Sequence, residues 1–411
     1  MTALAQRSIL RDRRLVLAAA FLRALATGLM GVLLGLYLAR HGFDAVAIGL
    51  VIGSGLSGAA TATLIVTFFG DRLGRRFTLV ALALLAALGG VALLVTEHLT
   101  AVCAVAFLGM VNGAGRDRAA AVAIDQAILP ATMGHAGRTR VFAWYNVLQD
   151  AGHAVGGLAA ALPVVIARLA GITELTGYGW TLGLYAALCL AAGALYLALS
   201  PAIEARPNHE GFMPPLAPES RRVIAHISAL FAVDSIAGGF LGTALLSYFF
   251  FERFGAAEGA IAALFFAARV ANGISHLGAA WLAARIGLVN TMVFTHIPSS
   301  LMLIAVALAP EFWIAAALFL VRELLVEMDV PTRQSYVMAV VRPEERTFAS
   351  GVTSLVRLGG WAAAPFFAGF LMQGVALATP LFLGAGMKIA YDILLYQEFR
   401  HLKPPEESAG N

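Results

Sequence analysis

Cysteine and charge are scarce in this 411-residue chain. Its two cysteines, Cys103 and Cys189, both sit in apolar stretches, so neither a disulfide framework nor a thiolate metal site can be assembled. Only 13% of the residues are charged while 60% are hydrophobic, with mean hydropathy +0.82; soluble domains carry about 25% charge. An ordinary water-soluble protein is excluded. No HExxH, GxSxG or P-loop string occurs, which argues against an intramembrane enzyme and a nucleotide-driven motor. A GxGxxG string at Gly53, Gly55 and Gly58 lies inside an apolar run with no preceding strand, so it reads as close helix packing rather than dinucleotide binding. The net charge of +4 comes from Arg residues spread along the chain, which is no footprint for nucleic acid. No cofactor and no metal site are expected.

What is present is apolar sequence in blocks. They fall at about 15–39, 45–69, 78–96, 101–127, 141–167, 178–200, 223–251, 257–283, 289–309, 312–340, 348–374 and 378–397. A membrane helix needs roughly 20 apolar residues, and solid blocks of this length are not the alternating segments of a membrane barrel. Twelve helices are expected, in an all-α membrane protein. Arg7, Arg11, Arg13 and Arg14 precede the first block; because it runs on to about Leu38, it reads as a membrane helix rather than a signal peptide. Seventeen Lys and Arg lie in loops on the N-terminal side, against Arg40, Arg168 and Arg253 on the other. That bias puts both termini in the cytoplasm.

The one polar, proline-bearing stretch, Ser200 to Glu219, divides six blocks from six. The expected organisation is a six-helix bundle over 1–200, a cytoplasmic linker over 201–222, a second six-helix bundle over 223–400 and a cytoplasmic tail over 401–411. The halves repeat. A shift of 211 carries Gly28, Gly31, Leu34 and Tyr37 onto Gly239, Gly242, Leu245 and Tyr248. A shift of 213 carries Arg72 and Gly74 onto Arg285 and Gly287, and one of 208 carries Arg138, Thr139 and Gly152 onto Arg346, Thr347 and Gly360. Such duplicated bundles are a common build of membrane transporters, with the site near the midplane.

The loop Gly70-Asp71-Arg72-Leu73-Gly74-Arg75-Arg76 resembles the signature loop of the major facilitator superfamily. Thr67 replaces that family's leading Gly, and the second copy, with Arg285 and Gly287, has lost the acid. The resemblance implies two pseudo-symmetric six-helix bundles and a role for Asp71, Arg72, Gly74, Arg75 and Arg76 in locking one face of a carrier. The drug-efflux Arg before Asn112-Gly113 is missing, and of the antiporter glycine signature only Gly152, Gly156 and Gly157 survive. In this superfamily helices one, four, seven and ten line the central cavity.

Fourteen of the charges within the blocks are read as membrane charges, seven of each sign. At about 3 kcal/mol for each lipid-exposed charge, they would cost roughly 40 kcal/mol, well beyond the roughly 5 to 15 kcal/mol by which a fold is stable. They must be paired, neutralised or facing water. Nine lie on the four cavity helices: Arg23, Arg116, Asp117, Arg118, Asp234, Arg322, Glu323, Glu327 and Asp329. Arg23 and Asp234 are repeat counterparts that can join across the cavity in one conformation, or each pair within its own half. Glu323 and Glu327 stand one turn apart, a spacing that raises a carboxylate's proton affinity. Asp150 and His153 form a polar cluster with Asn146 and Gln149 on helix five. Lys388 and Asp392 are four residues apart on helix twelve and suit a structural tie.

These residues point to a secondary active transporter rather than an enzyme. It is expected to move a small polar or charged solute across the inner membrane by alternating access, through proton-coupled export. The partners are the solute, protons and the bilayer, and the state is monomeric. Inorganic ion or metalloid efflux is the first rival reading; a transporter-like sensor or an intramembrane enzyme is the second.

Overall fold

A computed structural model of the chain describes residues 3–115, 120–129, 138–204, 218–328 and 346–399. Among them are fifteen α-helices and no strand. They are α1 (Ala3–Arg40), α2 (Ala45–Leu73), α3 (Arg75–Ala92), α4 (Leu99–Gly109), α5 (Ala120–Ile128), α6 (Arg138–Ala159), α7 (Leu162–Ala170) and α8 (Glu174–Leu197), then α9 (Pro218–Gly239), α10 (Thr243–Phe254), α11 (Glu258–Ile286), α12 (Leu288–Leu308), α13 (Phe312–Val326), α14 (Arg346–Gly374) and α15 (Thr379–Phe399). They occupy the twelve apolar blocks, three of which hold two helices each.

Three blocks are interrupted, although Ile224–Phe254 still runs as one span across the third interruption. The block over 101–127 stops at Met110, whose backbone is left-handed (φ 53°). Asn112 then folds the chain on itself, donating to the Met110 carbonyl at 2.9 Å and accepting from the Ala114 amide at 3.1 Å. These local bonds compete with the helix ladder. Between α6 and α7 the span bends by 45°, with Pro163 in the first turn of α7. The third break separates α9 from α10.

Packing divides the chain into two compact units: residues 1–209 with 242–251 and 257–266, and residues 210–241 with 252–256 and 267–411. In the first, α1 packs on α6 and α8, α3 on α8, and α2 on α4 and α5; Val16, Ala20, Leu79, Tyr145 and Tyr196 fill its core. In the second, α9 packs on α14 and α15, and α12 on α13 and α15, around Ile227, Phe231, Met292, Tyr391 and Leu395. Large apolar side chains remain on the outside, among them Leu88, Trp180, Trp313 and Phe367. A lipid-facing surface accounts for them, since hydrocarbon gives no penalty for apolar exposure.

The sequence repeat is visible as repeated geometry. Gly74 and Gly287 both have positive φ, 88° and 86°, where only glycine sits without strain. Four residues on, Thr78 and Thr291 each donate a hydroxyl to that glycine's carbonyl at 2.8 Å. Gly152 lies against α1, where a Cβ would come within 2.8 Å of the Ala24 Cβ; its counterpart Gly360 lies against α9, where one would come within 2.1 Å of the Ser235 Oγ.

Candidate functional site

Each unit buries an ionic cluster inside its spans. In the first, Arg23 on α1 donates to the Asp125 carboxylate on α5 at 2.8 Å and to the Tyr196 hydroxyl on α8. Tyr145 on α6 donates to the same Asp125 oxygen at 3.1 Å, and Gln149, one turn on, donates to the Tyr145 hydroxyl at 3.2 Å. Asp125 is fully buried, and the Arg23 guanidinium and the Tyr145 phenol both answer its carboxylate. Asp125 is an acid inside the apolar block 101–127, the same signal that marked its neighbours, and the sequence reading passed over it.

In the second unit, Asp234 on α9 accepts from the Lys388 ammonium on α15 at 3.0 Å, and the Arg357 guanidinium on α14 stands 4.0 Å from its other oxygen. Lys388 also meets the Nε2 of His296 on α12 at 3.1 Å, and the His296 Nδ1 meets Asp392 at 3.0 Å. Four side chains from α9, α12 and α15 thus form one chain of contacts, none more than 7% exposed. Arg357 lies over the rings of Trp361 and Phe231, at 4.9 and 5.8 Å. His296 was missed from sequence; it stands in the apolar block 289–309, two residues before Pro298.

Arg23 and Asp234 therefore each pair inside their own half. Lys388 and Asp392, expected as a direct tie, are joined instead through the His296 ring. On α13 the buried Arg322 and Glu323 pair with each other, and the helix ends at Val326, leaving Glu327 as its cap residue. Arg322 neutralises Glu323, a partner the expected pairing with Glu327 did not include. On α6, Asp150 is half-buried and His153 buried, with the His153 backbone so close to Gly28 that a Cβ there would meet its carbonyl at 2.4 Å. Arg116, Asp117, Arg118 and Asp329 lie outside the described residues.

The signature loop is built around an acid that sequence inspection overlooked. Glu204, just past the last helix of the first half, accepts from the backbone amides of Arg75 and Arg76 at 2.7 and 3.2 Å. A carboxylate at that position satisfies the open N–H groups at the start of α3 and complements its dipole. The Arg75 guanidinium adds a bond to the Ile203 carbonyl at 3.2 Å. Asp71 and Arg72 fall in the last turns of α2, and their side chains lie outside the described residues. Arg285 sits in the last turn of α11 with its guanidinium 4.2 Å from the Trp281 ring, and Gly287 is the cap residue before α12.

At the far end of α1, the first unit takes in the starts of α10 and α11. The Ala244 amide donates to the Gly113 carbonyl at 3.0 Å and the Thr243 hydroxyl to the Ala114 carbonyl at 3.2 Å. The two breaks in the helices thus satisfy each other's backbone groups. Arg40 ends α1 between Glu258 at 3.0 Å and Glu174 at 3.5 Å, with Glu258 almost wholly buried.

Apolar helices in duplicated sequence halves, with neutralised charges inside the spans and interrupted helices at one end, are the build of a multi-pass membrane transporter. The chain belongs to the Major Facilitator Superfamily, whose family model matches residues 16–365. It is 24% identical to an uncharacterized membrane protein of Saccharomyces cerevisiae, over 94% of this chain and 93% of that one. Among solved structures it is similar to the nucleoside transporter NupG (TM-score 0.73, 14% identity, 94% and 99% of the two chains). It is also similar to a D-xylose-proton symporter (TM-score 0.68, 14% identity, 95% and 98%). At these identities the likeness to the solved structures is one of fold.

Proposed function

We propose that this transporter is a secondary active carrier of a small polar or charged solute, working by alternating access and driven by protons in the direction of export. The observation that carries the reading is the pair of ionic clusters at Arg23 and Asp234. Buried charges lower stability relative to apolar packing, so two such clusters at equivalent repeat positions point to a working role, and titratable groups within spans suit proton movement. The balanced signs of the buried charges favour a polar or zwitterionic solute over a greasy cation. The loop bias of seventeen basic residues against three supports cytoplasmic termini in an inner membrane, and the carrier is taken to act as a monomer.

The closure at the end of α1 supports alternating access. Small residues bring backbones into contact there, with a Cβ at Gly35 falling 2.3 Å from the Ala244 carbonyl, while the charged groups Arg40 and Glu258 hold the rim. Polar and small-residue contacts of this kind can part without exposing an apolar seam. The test is uptake into proteoliposomes across a panel headed by a nucleoside and D-xylose, the solutes that the names of the two solved neighbours carry, followed by amino acids and inorganic oxyanions. An imposed pH gradient should drive accumulation of at least one of them against its gradient. Counterflow without any response to the pH gradient would remove proton coupling, and binding without flux would remove transport.

A further inference from the structure

The contact chain in the second unit carries more than neutralisation. Asp234 and Asp392 bear two negative charges and Lys388 and Arg357 two positive ones, so the cluster is neutral only if His296 is neutral. The neighbours also fix where its single ring proton sits. An ammonium has only hydrogens to offer, so the Nε2 facing Lys388 at 3.1 Å must accept. A carboxylate has only lone pairs, so the Nδ1 facing Asp392 at 3.0 Å must carry the proton. The ring is thereby held between a donor and an acceptor, each at hydrogen-bond distance, in the arrangement that lets imidazole pass a proton by exchanging tautomers.

We infer that Asp234, Lys388, His296 and Asp392 form the proton-binding site of this carrier, with Asp392 storing the proton and His296 relaying it. The inference rests on the proton-coupled reading above and names its site. One Lys388 N–H bond breaks as its proton joins the His296 Nε2, while the Nδ1 proton passes to an Asp392 oxygen. Lys388, now neutral, is recharged by a proton arriving through Asp234. The balance is one proton taken up, a neutral Asp392, a neutral His296 in its other tautomer, and a cluster that has changed from zero to one positive charge.

Geometry sets the order. Asp392 is completely buried, whereas Asp234 adjoins the partly exposed Arg357, so the proton enters at Asp234 and ends at Asp392. Other polar and charged groups stand nearby. Tyr391 on α15 lies edge-on to the His296 ring. Ser299 on α12 donates to the His296 carbonyl rather than to its ring. On α13, Arg322 and Glu323 pair with each other, and the exposed pair His226 and Glu398 joins the ends of α9 and α15. A charge gained inside the spans is costly unless the surroundings rearrange, which is how occupancy of this site would bias a conformational equilibrium.

The test uses the full chain reconstituted in lipid. Infrared difference spectra between mildly alkaline and mildly acidic buffer should show one buried carboxyl group becoming protonated in the wild type, a band lost in Asp392→Asn and lost or shifted to more acidic pH in His296→Asn. In the wild type itself, nitrogen NMR of labelled histidine should show one ring carrying its proton on Nδ1 in alkali and on Nε2 in acid. A buried-carboxyl band that persists in Asp392→Asn, a wild type with no such band, or a His296 ring, identified by its loss from the spectrum of His296→Asn, that becomes a doubly protonated imidazolium would each overturn the site. These spectra need no solute, so a carrier indifferent to pH gradients would end the energetic reading while the spectra still decide whether this site takes a proton.

Discussion

Arg23→Met is the sharpest probe of the first unit's ionic cluster. It leaves the Asp125 carboxylate, which has no exposure to solvent, with the Tyr145 phenol but without the guanidinium at 2.8 Å. Breaking a buried pair by removing one partner costs about 3 to 5 kcal/mol; the Tyr145 bond that Asp125 keeps places the expected loss near the lower figure. Adding Asp125→Asn removes the stranded charge and keeps an amide that can still bond Tyr145. The double variant should therefore recover all but about 1 kcal/mol, the lost Arg23 to Tyr196 hydrogen bond. Thermal unfolding in detergent can be followed with a fluorogenic thiol reagent, since Cys189 is buried and reacts when the first unit opens. The order of melting temperatures should be wild type, then the double variant, then Arg23→Met. A double variant no more stable than Arg23→Met would refute the view that charge compensation, rather than shape, holds this cluster.

Gly156→Val should destabilise the first unit by more than the about 1 to 3 kcal/mol typical of overpacking, because even a Cβ would lie 2.0 Å from the Leu25 carbonyl; the same thermal assay reads it. Gly74→Ala forces an alanine into φ 88° and should cost about 1 to 2 kcal/mol, whereas Ala at Gly183, where a Cβ meets nothing within 4 Å, should not. Glu204→Gln removes the charge that caps α3 and should lower stability by less than about 1 kcal/mol, an effect that fades in high salt; a difference unchanged by salt would contradict the capping role. Glu258→Gln weakens the hold on Arg40 and should speed maleimide labelling of a Thr243→Cys reporter at the closed end; unchanged labelling would mean the rim pair does not hold that end shut.

The sequence alone was enough for the helical class, the positions of the apolar segments and the duplication, because hydropathy over a span and the spacing of small residues are local properties of the chain. Gly74 and Gly287 illustrate this: their repeat was legible, and a positive φ is a demand that one residue can announce. The signature loop was legible for the same reason. What tertiary structure alone decided was which charge answers which. Nothing in the order of residues joined Asp125 to Arg23 or His296 to Lys388, Lys388 reached past Asp392 to α9 and α12, and Glu204 capped a helix more than a hundred residues away in the chain. Electrostatic partnership depends on distance through space and on burial, and neither quantity is written in the order of the residues.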